Sequence, residues 1–294
     1  MTYYLVRFLS RVACLLPGRF CDRLGRALAL ALWPFLPAHR KKLAASQVAM
    51  CLGTDERESE RIAKESAVRF GPMLFEVLRF PVIVRHMADY VEIEGREHLE
   101  GVLAQGKGAV IATGHAGNWE LMGGALSQAG FPLIGVAMRQ RDAAMDRFIN
   151  EYRRLVGMHI IYKNDVREMF RMMKEGWVVG LLADQDTNKH DGIVLDFFGK
   201  PTNCVPGPAA MARSAGLGVI PGFITRKEDG THKIILYAPV EVPRTKDKRA
   251  DIRTAEQAVN RVLEQHIREH PEEWFWLHDR WKSLREEANE KGEL

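Results

Sequence analysis

Several features that commonly announce a function are scarce in this chain. Cysteine occurs four times in 294 residues, as Cys14, Cys21, Cys51 and Cys204, and no two form a C-x-x-C pair. That argues against a disulfide-built scaffold and against a cysteine zinc site. Neither sign of charge dominates: 42 Lys and Arg stand against 38 Asp and Glu. So small an excess, with no nucleic-acid motif, gives no reason to expect a DNA or RNA partner. Repeats and low-complexity tracts are absent. No clean run of about 20 apolar residues is present to span a bilayer. No small-residue cleavage site follows a single apolar core, which argues against a cleaved signal peptide.

What the N-terminus does contain is two broken apolar stretches. Tyr3 to Leu16 is interrupted by Arg7 and Arg11 and closed by Pro17; Leu28 to Leu36 carries Pro34, with Pro37 just beyond. Arg7 and Arg11 are four apart and share a helical face. The pattern predicts an interfacial anchor, or a hairpin dipping into the bilayer, over residues 1–42. A full span with snorkelling arginines and an ordinary buried helical hairpin are the alternatives. His39-Arg40-Lys41-Lys42 follows at once, which puts the next domain on the cytoplasmic side.

Residues 43–282 read as the main domain, and 283–294 as a polar tail that frays. A charged helix begins after Thr54 and should break or kink at Gly71-Pro72. Met73 to Val84 is too apolar for a solvated surface and is a core helix or a second membrane-facing patch. Val91–Glu94 alternates like a strand. Further strand-like runs are 109–113, 133–138, 159–162, 178–183, 219–225 and 233–240. Helical patterns lie between most of them; Met145, Phe148, Ile149, Tyr152 and Val156 give the clearest, closed by Gly157. Val166 to Glu175 and Ile252 to His270 also read as helices, and Arg244 to Asp251 as a charged, solvated loop. The alternation predicts an α/β fold: a mixed, largely parallel central sheet flanked by helices, behind an N-terminal helical membrane-associated segment.

The densest chemistry is Gly114-His115-Ala116-Gly117-Asn118-Trp119-Glu120, between a buried strand and a helix. Residues five apart diverge on a continuous helix, so His115 and Glu120 converge only if His115 lies in the turn and Glu120 in the first helical turn. His115 would then serve as general base, with Glu120 fixing its tautomer. The motif holds no Ser, Thr or Cys, so a substrate hydroxyl would be the nucleophile. A turn-capping histidine and a glutamate at a helix N-terminus give the plain structural alternative. Asn118 and the backbone N–H groups from Gly117 to Trp119 are candidate oxyanion donors. Ligands of open α/β sheets bind beyond the strands' carboxyl ends. His115, Arg139, Asn164 with Asp165, and Asp184 with Asp186 each follow a successive core strand. Arg139 suits an anionic group. Asp184 and Asp186 with His190 make too weak a pattern for a metal.

His-Ala-Gly-Asn-Trp-Glu resembles the first block of the lipid A biosynthesis acyltransferases, within the wider glycerolipid acyltransferase group. Met138-Arg139 with Tyr152-Arg153-Arg154-Leu155 resembles the second block. Leu182-Ala183-Asp184-Gln185-Asp186 with Phe197-Phe198-Gly199 resembles the third, and Pro271 to Lys282 the C-terminal signature. The resemblance implies transfer of an acyl chain from acyl carrier protein to a hydroxyl of a lipid A precursor, at the cytoplasmic face of the inner membrane, with no cofactor and no metal. It gives Glu120 a substrate-binding role beside the orienting one and Asp184 a functional role, of which pairing with the family arginine is one form. That arginine matches Arg154 best by chain order, with Arg153 a competing alignment. Trp274, Trp276 and Trp281, interleaved with Arg280 and Lys282, suit a membrane interface, sugar stacking or core packing. Rival readings are transfer to another lysophospholipid or glycolipid, thioester hydrolysis, and a non-catalytic membrane-binding protein.

Overall fold

Five strands that end on the same edge set the geometry of the molecule, and the chain reaches them after a helical N-terminal third. The computed structural model describes residues 2–188 and 190–291. The helical third comprises α1 (Thr2–Leu15), α2 (Gly18–Leu32), α3 (Ala38–Leu52), α4 (Glu56–Val68), α5 (Phe70–Leu78), α6 (Phe80–Ile83) and α7 (Met87–Tyr90). Pro17 ends α1, and a 3-10 turn holding Pro34 ends α2. Asp55 caps α4 by accepting from the Glu58 N–H. The break expected at Gly71-Pro72 falls at Arg69, because Pro72 is tolerated inside the first turn of α5.

The sheet orders its seven strands β1-β9-β8-β2-β5-β3-β4. These are β1 (Val91–Glu94), β2 (Ala109–Thr113), β3 (Leu133–Ala137), β4 (His159–Tyr162), β5 (Val178–Leu182), β8 (Val219–Arg226) and β9 (His232–Leu236). β8, β2, β5, β3 and β4 run parallel; β9 returns antiparallel to β8, and β1 lies parallel to β9. The mixed, largely parallel α/β sheet is therefore present. β6 (Ile193–Phe197) and β7 (Lys200–Cys204) form a separate antiparallel hairpin that the sequence reading lacked. Phe198 and Gly199, both at positive φ, make its turn.

The crossover helices are α8 (Arg96–Leu103), α9 (Trp119–Gln128), α10 (Ala143–Leu155), α11 (Val166–Lys174) and α12 (Gly207–Ala215), followed by α13 (Lys248–Glu269) and α14 (Lys282–Lys291). α13 begins inside the stretch read as a solvated loop. Asp247 caps it, and Asp251 is buried against Arg213 and Thr245. The tail from Ser283, expected to fray, is helical in α14 as far as Lys291.

The N-terminal helices pack on the sheet domain. α1 lies on α5 and α10, and α2 on α5. Arg7 does not snorkel: it pairs with Glu151 of α10 at 2.6 Å, and the Tyr3 hydroxyl donates to the same carboxylate. Ser10, Ala13, Cys21 and Gly25 face inward. Tyr4, Leu5, Phe8, Leu15, Phe20, Leu32 and Phe35 are exposed. α3 runs through residue 42 and buries Ala44, Val48 and Cys51. Among the described residues no helix is long and apolar enough to cross a membrane.

Candidate active site

The register between β2 and β5 builds the centre of the site. Thr113 is opposite Leu182, so the residues just past these strands meet. The Asp184 carboxylate accepts from the His115 backbone N–H through Oδ2 and binds the imidazole Nδ1 through Oδ1, both at 2.8 Å. A carboxylate only accepts, so Nδ1 carries the proton and the Nε2 lone pair is left for a substrate. Among the described residues none bonds Nε2, and the side chain keeps 21% of its surface exposed, enough to be reached. Asp184 is 2% exposed and also receives the Trp274 indole N–H at 2.8 Å.

Electrostatics agrees with this pairing. Burial pushes the His115 pKa down, but the charge and hydrogen bond of Asp184, with the charge of Glu120, leave it above the ordinary imidazole value. Burial pushes Asp184 up, and His115 with the other donors brings it below the ordinary carboxylate range. Each partner favours the other's charged form, as in the Asp–His half of a hydrolase triad.

Glu120 does lie in the first turn of α9 and His115 in the preceding turn, but Glu120 does not hold the imidazole. Its carboxylate takes a fork from Arg153 of α10, 2.8 Å from Nε and 2.5 Å from the second guanidinium nitrogen. Both side chains are mostly buried. The expected roles of Glu120 and Asp184 are therefore exchanged: Asp184 orients the histidine and Glu120 binds the arginine. The arginine of that pair is Arg153; Arg154 points to solvent, because its neighbour already occupies the inward helical position.

Two expected oxyanion donors are committed elsewhere. The Gly117 N–H donates to the Glu273 carbonyl. Asn118 caps α9 through Oδ1 and donates through Nδ2 to Glu76 at 2.7 Å. Gly117 sits at φ 58, and a Cβ there would collide with the Ile224 carbonyl. Arg139 is exposed at the rim, its guanidinium 4.3 Å from the Tyr162 ring centroid. Asp186 accepts from the Ser283 N–H and hydroxyl, which ties the rim to the C-terminal segment.

Between α9 and the sheet lies a narrow cavity of about 60 Å³. Trp119, Glu120 and Arg153 border it, and its interior is apolar: Ile111, Met122, Leu126, Leu133 and Leu182. The Trp119 ring is 4.8 Å from that of His115. An imidazole packed against Trp119, which itself borders a hydrocarbon-lined cavity, suits a reaction on the carbonyl end of an apolar chain.

A family model for bacterial lipid A biosynthesis acyltransferases matches residues 1–283. The chain belongs to this family. It is an acyltransferase. The phosphatidylinositol mannoside acyltransferase of Mycobacterium tuberculosis H37Rv is 30% identical over 220 residues, 72% of this chain and 67% of that one. The lipid A biosynthesis lauroyltransferase of Escherichia coli K12 is 26% identical over 273 residues, covering 91% and 87%. The palmitoleoyltransferase of the same strain is 22% identical over 263 residues, covering 88% and 84%.

Sequence reasoning missed two supports of this candidate site. Glu76, the single acid inside an apolar helix, is buried under the motif, where it meets Asn118, Arg226, Tyr90 and His232. An isolated charge in an otherwise apolar stretch was the available signal. Trp274 and its neighbours form the other support. The 273–275 backbone takes the Gly117 N–H on the Glu273 carbonyl and gives the Phe275 N–H to the His115 carbonyl. Trp274, Trp276 and Arg280 are almost wholly buried, so the C-terminal signature is core rather than membrane interface.

Proposed function

We propose that the enzyme transfers a fatty acyl chain from the thioester of acyl carrier protein to a hydroxyl of a lipid A precursor. The observation that carries this reading is the His115–Asp184 pair packed against Trp119, a wall of the apolar cavity. The acyl chain lies in the cavity with its thioester carbonyl near Nε2. His115 takes the proton of the acceptor hydroxyl as that oxygen bonds to the carbonyl carbon. The C–S bond then breaks, and the imidazolium returns the proton to the leaving sulfur. Asp184 keeps Nδ1 protonated and stabilises the imidazolium. Glu120 and Arg153 hold the mouth in shape, and Arg139 meets an anionic group of donor or acceptor.

The 30% identity to a phosphatidylinositol mannoside acyltransferase favours a second acceptor class, a mannosylated glycolipid. Either acceptor is a membrane lipid, so we also assign residues 1–42 to the cytoplasmic face of the inner membrane. The exposed apolar side chains of α1 and α2, with Arg11, Arg19, Arg23, Arg40 and Lys42 exposed around them, support this.

The test supplies purified protein with acyl-carrier-protein thioesters and, separately, a tetra-acylated lipid A precursor and a phosphatidylinositol mannoside. Product mass and released thiol are both measured. The expected result is one added acyl chain on the lipid A precursor. Addition to the mannoside alone would replace the acceptor. Thiol release without acylated lipid would make the protein a thioester hydrolase and overturn the proposal.

A further inference from the structure

The cavity under α9 is bordered by glycines on both of its walls. On the sheet side, Gly135 of β3 is the register partner of Gly180 of β5, and Gly180 is the partner of Ile111 of β2. This row lies two residues inside the strand ends Thr113 and Leu182, about 7 Å from the rim where His115 sits. On the helix side is Gly123 of α9. Leu133, at the far end of β3, lines the deeper part.

Met158 reaches into this space from the segment between α10 and β4. A Cβ on Gly123 would lie 2.6 Å from the Met158 Cε, and a Cβ on Gly135 would lie 2.8 Å from it. The methyl is therefore held between helix and sheet, across the channel at the glycine row. Gly180 differs: a Cβ there would meet nothing closer than 3.6 Å, so a methyl fits at that part of the floor without a clash. Methionine is unbranched with a polarizable thioether, which suits a filler that adapts to its neighbours. Neither the proton transfer nor the Glu120–Arg153 pair uses Met158.

We infer that Met158 is the residue that sets how long an acyl chain the enzyme accepts, its thioether stopping the chain at the row where Gly123 and Gly135 make room for it and Gly180 bears no side chain. The inference rests on the cavity being the acyl-chain seat. Removing the stop admits more methylenes, and adding a side chain at Gly180 admits fewer. Each methylene gained or lost from an apolar seat changes preference by about fourfold.

The experiment offers full-length enzyme an equimolar series of even-numbered acyl-carrier-protein thioesters with the lipid acceptor, and weighs the products. Met158→Ala is expected to move the preferred donor about two to four carbons longer, matching the side-chain atoms removed. Gly180→Ala, which meets only ordinary contacts and so keeps the fold, is expected to move it shorter. A second readout needs no acceptor: the chain length of free fatty acid that raises Tm most should shift in the same directions. If wild type transfers but both variants keep its donor profile and its fatty-acid optimum, the inference fails and the proposed function stands. If wild type transfers to no acceptor while fatty-acid optima still shift, the acceptor reading fails and Met158 keeps its role. If Met158→Ala does not fold, the Gly180→Ala shift decides: no shortening overturns the inference.

Discussion

Asp184 serves three donors at once: the His115 backbone, the His115 ring and the Trp274 indole. It fixes the imidazole in place, in tautomer and in charge preference. A general base must be unprotonated to act. Asp184 and Glu120 hold the His115 pKa above its ordinary value against burial, so the rate falls as pH drops through that raised value. Asp184→Asn removes the larger raising charge. We expect kcat to fall by about 10²–10⁴-fold and the acid limb of the rate profile to move to lower pH. A carboxylate that served packing alone would leave that limb in place. The histidine, the acid and the turn between the glycines were legible in the sequence. The partnership was not, because several acids follow strand ends and chain order does not say which strands are neighbours.

At the scale of elements, the decisive fact is that β5 inserts between β2 and β3. Apolar runs located most strands to within a residue or two, since a buried parallel strand must be continuously apolar. Their order depends on crossover packing that leaves no local trace, so the sequence puts Asp184 on the same rim as His115 without making the two neighbours, and the structure joins them. The β6–β7 hairpin went unread because its turn starts at Phe198, at φ 52, where Gly, Asn or Asp is the usual signal. The N-terminal hairpin meets the sheet domain through an equally specific contact. Gly25 of α2 and Gly71 of α5 cross so closely that a Cβ on Gly25 would lie 2.6 Å from the Gly71 carbonyl carbon. Backbone cannot yield as a side-chain tip does. Gly25→Ala is expected to cost about 1–3 kcal/mol and to lower Tm by about 3–8 °C. An unchanged melting curve would refute so tight a crossing.

For the whole molecule, the outward face of α1 and α2 is the feature out of keeping with a fully solvated surface. Phe8 is 60% exposed and Leu15 86%. The sequence shows the amphipathic character and groups Arg7 with Arg11 on one face; Arg7's partner Glu151 lies far along the chain, beyond the reach of a local pattern. Phe8→Asp combined with Leu15→Asp should reduce co-sedimentation with anionic vesicles by about tenfold or more. Both positions are solvent-facing, so Tm should hold. Unaltered vesicle binding would remove α1 from the membrane contact.

The strap of residues 273–275 across the catalytic turn has a temporal meaning. His115, Gly117 and Asp184 are each fastened by groups that the ribosome makes more than a hundred residues after the histidine, or nearly so for the aspartate. A growing polypeptide can fold its central strands and still lack a poised base. The turn gains these ties only once residues 273–275 have been made, so a product clipped before Glu273 is expected to hold its imidazole more loosely.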